Sequence, residues 1–262
     1  MLCSDIIKII ETVYPTYAAC EWDNVGLLVG NSVKEIKSIY VALDATDEII
    51  QTVIEQKIDM LITHHPLIYS PLQRITNEHF IERRVLSLIQ HDIAYYAMHT
   101  NYDVLGMADL ASGMIGMINP DVLEVTKEVG MYKKPEGIGR IGTLKDDISL
   151  KSCCEMVKES FQLEHVKVFG DLNQIMKRVA ISPGSGKSMI DISVSKGADV
   201  LITGDIDHHS GIDAVARGMA IIDAGHYGLE HIFIRNMVLF LQRNFAELQI
   251  ESASISHPFQ II

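Results

Sequence analysis

The sequence predicts an α/β protein made of two similar α/β domains related by internal duplication. Two observations carry this. Short apolar runs alternate with amphipathic segments along most of the 262 residues, the pattern of strands joined by crossover helices. The chain also matches itself. Val41 to His65 aligns without a gap to Ile181 to Asp205, so Asp59-Met60-Leu61-Ile62-Thr63 falls on Asp199-Val200-Leu201-Ile202-Thr203. Farther on, Ile93 to His99 falls on Met219 to Gly225. Residues 1–130 are expected to form the first domain, to which the C-terminal segment can return, and residues 131–262 the second. The boundary is expected near 125–136.

The elements follow from local pattern. Ser4 or Asp5 caps a helix over 4–15 whose stripe is Ile6, Ile7, Ile9, Ile10 and Val13, and Pro15 ends it. Glu21-Trp22-Asp23-Asn24 is a turn before a short strand at 25–30, with Trp22 expected as a lid over the core. Strand 36–43 leads to a helix over 47–55 capped by Thr46, then to the apolar run 59–63, giving a right-handed βαβ unit. A polar loop at 72–80 precedes a helix at 82–90 and a buried strand at 93–98. Residues 108–117 read as helix. Residues 118–136, with Pro120 and Pro135, read as loop-rich, and 137–144 as an edge strand or hairpin. In the second half, helices are expected at 149–161, 188–195, 211–217 and 230–245. Strands are expected at 165–170, 177–182, 199–203, 219–224 and 248–252.

Composition narrows the class. With 48% hydrophobic and 21% charged residues the chain is neither disordered nor fibrous. A net charge of −12 and the lack of a basic stripe argue against nucleic-acid and membrane-surface binding. No run of about 18 apolar residues suggests a membrane span. The four cysteines form no CxxC pair, and the N-terminus lacks the pattern of a signal peptide, so a cytoplasmic location is expected. Ser182-Pro183-Gly184-Ser185-Gly186-Lys187-Ser188 ends as a Walker A loop does. Its first position holds Ile181 instead of glycine, so a glycine turn is the better reading.

The chemistry collects at strand ends. His64 and His65 follow the apolar run 59–63, and Pro66 stops it. His99 and Asp103 follow the strand at 93–98, and His226 and Glu230 follow the strand at 219–224. His226 and Glu230, four apart at a helix start, share one face. If the two domains face each other, His64, His65, Asp103, His226 and Glu230 meet in a cleft between them. Three imidazoles and two carboxylates suit Zn, Fe, Mn or Co and exceed what one tetrahedral ion takes, so two divalent metal ions are expected. His99 is a candidate to hydrogen-bond a metal ligand from behind or to shuttle a proton. Asp44, Asp205, Asp207, His208 and His209 are further polar candidates, with His208-His209 expected on the rim. Tyr95 and Tyr96 read as core or interface aromatics.

The stretches Trp22-Asp23-Asn24-Val25-Gly26-Leu27, Ile62-Thr63-His64-His65-Pro66, His99-Thr100-Asn101-Tyr102-Asp103, Leu201-Ile202-Thr203-Gly204-Asp205 and Gly225-His226-Tyr227-Gly228-Leu229-Glu230 together resemble one family. It is the GTP cyclohydrolase 1 type 2 homologues, or NGG-one-interacting-factor-three-like proteins. The resemblance implies metal ligation by His64, His65, Asp103, His226 and Glu230, with Glu230 as the bridge. It also implies a homohexamer built from dimers. The expected function is dinuclear metal-dependent hydrolysis of a small molecule through an activated water, GTP cyclohydrolase-like hydrolysis of a purine nucleotide being one form. The alternative is a non-enzymatic metal-binding scaffold, metallochaperone-like or regulatory interaction protein.

Overall fold

The computed structural model describes residues 1–129 and 134–262. The chain divides into two compact units, Met1–Tyr102 with Phe233–Ser256, and Asp103–Ile232 with His257–Ile262. The expected boundary near 125–136 therefore falls inside the second unit, apart from residues 130–133, which lie outside the described residues.

The first unit contains a five-stranded mixed sheet of β1 (Gly26–Val29), β2 (Ser38–Ala42), β3 (Met60–Thr63) and β4 (Ala94–Ala97), closed on one side by a late strand at Gln249–Ser252. The order is β1, β4, β3, β2 and then that late strand. Only β1 runs antiparallel to its neighbour. Every residue of β2, β3 and β4 is buried, which is why these strands read as continuous apolar runs. The helix Asp47–Glu55 begins where Thr46 accepts the backbone N–H of Ile49. It packs Ile50 and Val53 into a core with Leu61, Val85, Leu88 and Tyr95. Each such apolar side chain contributes about 1.5–3 kcal/mol by leaving water.

The second unit carries a six-stranded mixed sheet. Its strands are β5 (Ile118–Val129), β6 (Lys134–Ser149), β7 (Lys167–Phe169), β8 (Ile175–Ser185), β9 (Val200–Gly204) and β10 (Ala220–Asp223), and the late strand of the first unit becomes β11. The order is β5-β6-β8-β9-β10-β7, with β8, β9 and β10 parallel. Its core gathers Leu123, Ile141, Ala180, Leu201, Ala214 and Ile221.

Two expectations about this unit are corrected. The stretch 118–136 is not loop-rich, because β5 and β6 pair along much of it. Pro120 sits where the register shifts between Ile118 and Asp121, a place where a missing N–H breaks no ladder bond. Of the two readings of 137–144, the edge strand is excluded, because β6 has β5 on one side and β8 on the other, and the hairpin fits its antiparallel pairing with β5. Among the described residues no helix is long and apolar enough to cross a membrane.

Candidate metal centre

In the first unit β3 ends at Thr63 and delivers His64 and His65 directly after it. The turn that follows is fixed by one hydroxyl. Tyr95 Oη accepts the N–H of Leu67 at 2.8 Å and donates to the carbonyl of His65 at 3.0 Å, with Thr63 Oγ1 2.7 Å away. Burial pushes the Tyr95 phenol up to about 12, so it stays protonated and able to donate. Of the two readings for Tyr95, core or interface aromatic, the core one fits its full burial, and its hydroxyl also holds the histidine turn.

His64 is fully buried, His65 and His99 partly so. Their ring centroids lie 5.0 Å (His64 to His65), 5.3 Å (His64 to His99) and 5.6 Å (His65 to His99) apart. One ligand atom from each of the three lies within 4.8 Å of the others, a spacing at which they could hold a metal ion. The rings are oriented from behind. His64 Nδ1 meets the carbonyl of Met98 at 2.8 Å, His65 Nδ1 meets Asp44 Oδ1 at 2.8 Å, and His99 Nδ1 meets Asp23 Oδ1 at 2.9 Å.

Asp23 is the anchor of this cluster. Its side chain is fully buried. Oδ1 also accepts the N–H of Asn24 at 2.8 Å, and Oδ2 accepts the N–H and hydroxyl of Thr100 at 2.9 and 2.6 Å. Burial alone would raise its pKa. The hydrogen bond and charge of His99 and the bonds from Thr100 outweigh burial and bring it down to about 2. Trp22, next in the chain, is no lid over the core: it is 57% exposed. The carboxylate beside it took the buried place instead.

In the second unit Asp103 opens a π-helical turn, Asp103–Met107, directly after Thr100–Tyr102. Turns of that kind are rare and concentrate at functional positions; no residue pattern announced this one. His226 begins the short helix His226–Glu230, which Glu230 closes, so Glu230 does not open the long helix as expected; that helix is Ile232–Asn244. The four-residue spacing brings His226 Nε2 to 3.0 Å from Glu230 Oε2, with Glu230 buried. His226 Nδ1 lies 2.7 Å from Asp205 Oδ2. Burial works against charge on His226, yet the bonds and charges of Glu230 and Asp205 raise its pKa to about 9. The extra proton that this pair holds is what a bound cation would displace.

The glycines at the ends of β8 and β9 have a steric purpose. A Cβ at Gly184, whose φ is 81°, would collide with Glu230 Oε1, and one at Gly204 would collide with the backbone of His226. Lys187, the Walker-like lysine, pairs with Asp207 at 2.8 Å. Asp207 in turn caps the helix His208–Ala216, and His208 and His209 are exposed on it.

Four imidazoles thus point Nδ1 at a carboxylate or carbonyl. Each support keeps a proton on Nδ1 and turns Nε2 away from itself, the arrangement found behind metal-bound histidines; on His226 the Nε2 lone pair becomes available once the proton shared with Glu230 is displaced. Nitrogen and carboxylate donors of this kind suit divalent first-row metals. The fold and these donor sets define an α/β protein of two mixed sheets with clustered metal-binding side chains.

Comparison with known proteins identifies the family. The family model Duf34/NIF3 (NGG1p interacting factor 3) matches residues 1–258, and the chain belongs to that family. It is 38% identical to a GTP cyclohydrolase 1 type 2 homolog from Lactococcus lactis over 99% of both chains. It is 33% identical to one from Clostridium perfringens over the full length of both. Among solved structures, reduced HcgD from Methanocaldococcus jannaschii superposes with a TM-score of 0.83 at 32% identity, over 96% of this chain and 97% of that one. A Bacillus cereus protein related to NIF3 shares the fold, with a TM-score of 0.89 at 24% identity over 100% of this chain and 99% of that one.

Proposed function

We propose that this protein is a metal-dependent hydrolase of a small molecule, holding two divalent ions with His64, His65, Asp103, His226 and Glu230. The observation that carries the reading is the set of four imidazoles anchored through Nδ1. A bound pair of ions would polarise the substrate and bring a water's pKa toward neutrality. The chain's own residues do the rest. Asp44 and Asp205 keep His65 and His226 in one tautomer and orientation. Glu230 would be the carboxylate that both ions share. His99, held by Asp23, carries a proton to or from the reacting group. Zn, Fe, Mn and Co all suit this donor set. A purine nucleotide such as GTP is the first substrate to assay, after the name its relatives bear.

The same reading takes the two units as copies of one ancestral unit, and matching backbone bonds support it. Asp59 Oδ2 accepts the N–H groups of Lys37 and Ser38, and Asp199 Oδ2 those of Lys177 and Arg178. The N–H of Met98 reaches the carbonyl of Thr63 as that of Ala224 reaches Thr203. Where the first copy has His64-His65, the second has Gly204-Asp205, which make room for His226 and support it.

The test is elemental analysis with a substrate screen. The purified protein should hold two ions per chain, and Glu230→Ala should lose both, because one carboxylate serves both. Turnover of GTP or another screened compound, lost in His65→Ala, would support the hydrolase. Full metal retention in Glu230→Ala would sink the ligand assignment. Bound, exchangeable metal with no turnover across the screen would favour the scaffold reading. We also propose a homohexamer, to be read from mass in solution.

A further inference from the structure

One surface of the first unit is not used by the function proposed above. Trp22 is 57% exposed and Tyr69 58% exposed, though both are large aromatics. Their ring centroids lie 6.0 Å apart with planes at 48°, an open wedge rather than a closed stack. Trp22 also stands 6.0 Å from His99, edge to face. The wedge is rigidly mounted. Asp23, beside Trp22, accepts four hydrogen bonds, and Asn24 Nδ2 donates to the carbonyl of Ile68, the residue before Tyr69, at 2.6 Å. Two loops far apart in sequence are therefore braced so that both rings face water side by side. Leaving two such rings in water forfeits the burial that aromatic side chains usually contribute. A fixed π-surface next to an acid/base imidazole has an obvious use in holding a flat ring.

We propose that Trp22 and Tyr69 form a stacking site for a planar, unsaturated ring of the substrate, placing its reactive edge beside His99. The class of ligand is a heteroaromatic ring, recognised by its face and so without dependence on a particular pattern of hydrogen-bonding groups. The proposal rests on the metal-site reading for where the chemistry occurs, and on the aromatic geometry alone for binding.

The chain has a single tryptophan, so intrinsic fluorescence reports this site directly. Caffeine is the probe, being flat and lacking phosphate or carboxylate groups that would seek a metal; myo-inositol is the non-aromatic control. Titration of the purified protein with caffeine should quench Trp22 saturably, and inositol should not. Tyr69→Leu, at an exposed position that leaves folding intact, should weaken caffeine binding at least about fivefold. Trp22→Leu, followed by ligand-observed NMR, should weaken it as much. Absence of saturable quenching, or unchanged affinity in Tyr69→Leu, overturns the proposal. So does preserved caffeine binding in variants whose mass in solution falls, which would make the wedge a contact between copies of the chain. Metal content measured on the same samples separates the two claims. Protein with its metal that ignores caffeine refutes the stacking site alone, and protein that stacks caffeine but holds no metal refutes the metal reading alone.

Discussion

Replacing Asp23 by asparagine tests the anchor of the histidine cluster. The native side chain is fully buried and receives four donors, from His99, Asn24 and both the N–H and hydroxyl of Thr100. A carboxylate only accepts, so it suits all four; an amide has one accepting oxygen and turns its NH2 toward donors. The pKa of Asp23 falls from 3.8 to about 2 on folding, which corresponds to about 2 kcal/mol of stability. The folded value lies below the unfolded one. This stability is therefore fully present above about pH 4 and is lost as the pH falls through about 2. Asp23→Asn should destabilise the first unit by about 2 kcal/mol or more at pH 7. At pH 3 roughly half of the contribution from ionisation is gone, so the gap to the native protein should narrow by about 1 kcal/mol. Urea unfolding followed by Trp22 fluorescence at the two pH values measures this next to the substitution. Equal gaps at pH 7 and pH 3, or none at pH 7, would refute the reasoning.

Other substitutions probe the supports and the core. Asp44→Asn and Asp205→Asn should each weaken metal binding about 10- to 100-fold with little change in far-UV circular dichroism; titration with a competing chelator reads the affinity. Tyr95→Phe removes the hydroxyl that ties Leu67 to His65 and should cost about 1–3 kcal/mol, seen as a lower urea midpoint. Gly184→Ala puts a methyl against Glu230 and forces a positive φ on alanine, so both the thermal midpoint and the metal content should fall. Burial holds the Cys153 thiol up at about 12, leaving almost no thiolate at pH 8. Iodoacetamide should label it far more slowly in the native protein than in urea, as mass spectrometry of the peptide would show.

Much of this architecture is written in residue pattern. Leu61-Ile62-Thr63 and Leu201-Ile202-Thr203 announce themselves because parallel strands covered on both faces need apolar residues at every position. Thr46 and Ser149 mark helix starts by the bonds their hydroxyls accept. The strand ends carrying His64, His65 and His226 could be found because imidazoles there stand out against apolar runs. The strand character of β5 and of the start of β6 was masked by Pro120, Pro135 and nearby glycines, which signal turns locally but here occupy bulges and close approaches fixed by neighbouring strands. The π-helical turn at Asp103 has no period of its own. The exposure of Trp22 depended on which neighbour claimed the interior, and Asp23 did so through partners at Thr100 and His99 that no local window contains.

The crossing of the chain between its two units also orders its birth. The second unit's main stretch, Asp103–Ile232, is one uninterrupted run, whereas the first unit is assembled from Met1–Tyr102 and the late Phe233–Ser256. On the ribosome β2 waits with a bare flank until Gln249–Ser252 emerge to pair with it. Through that interval its open backbone is a template for any passing strand. Chains cut short before residue 249 should accordingly clump rather than accumulate as soluble halves.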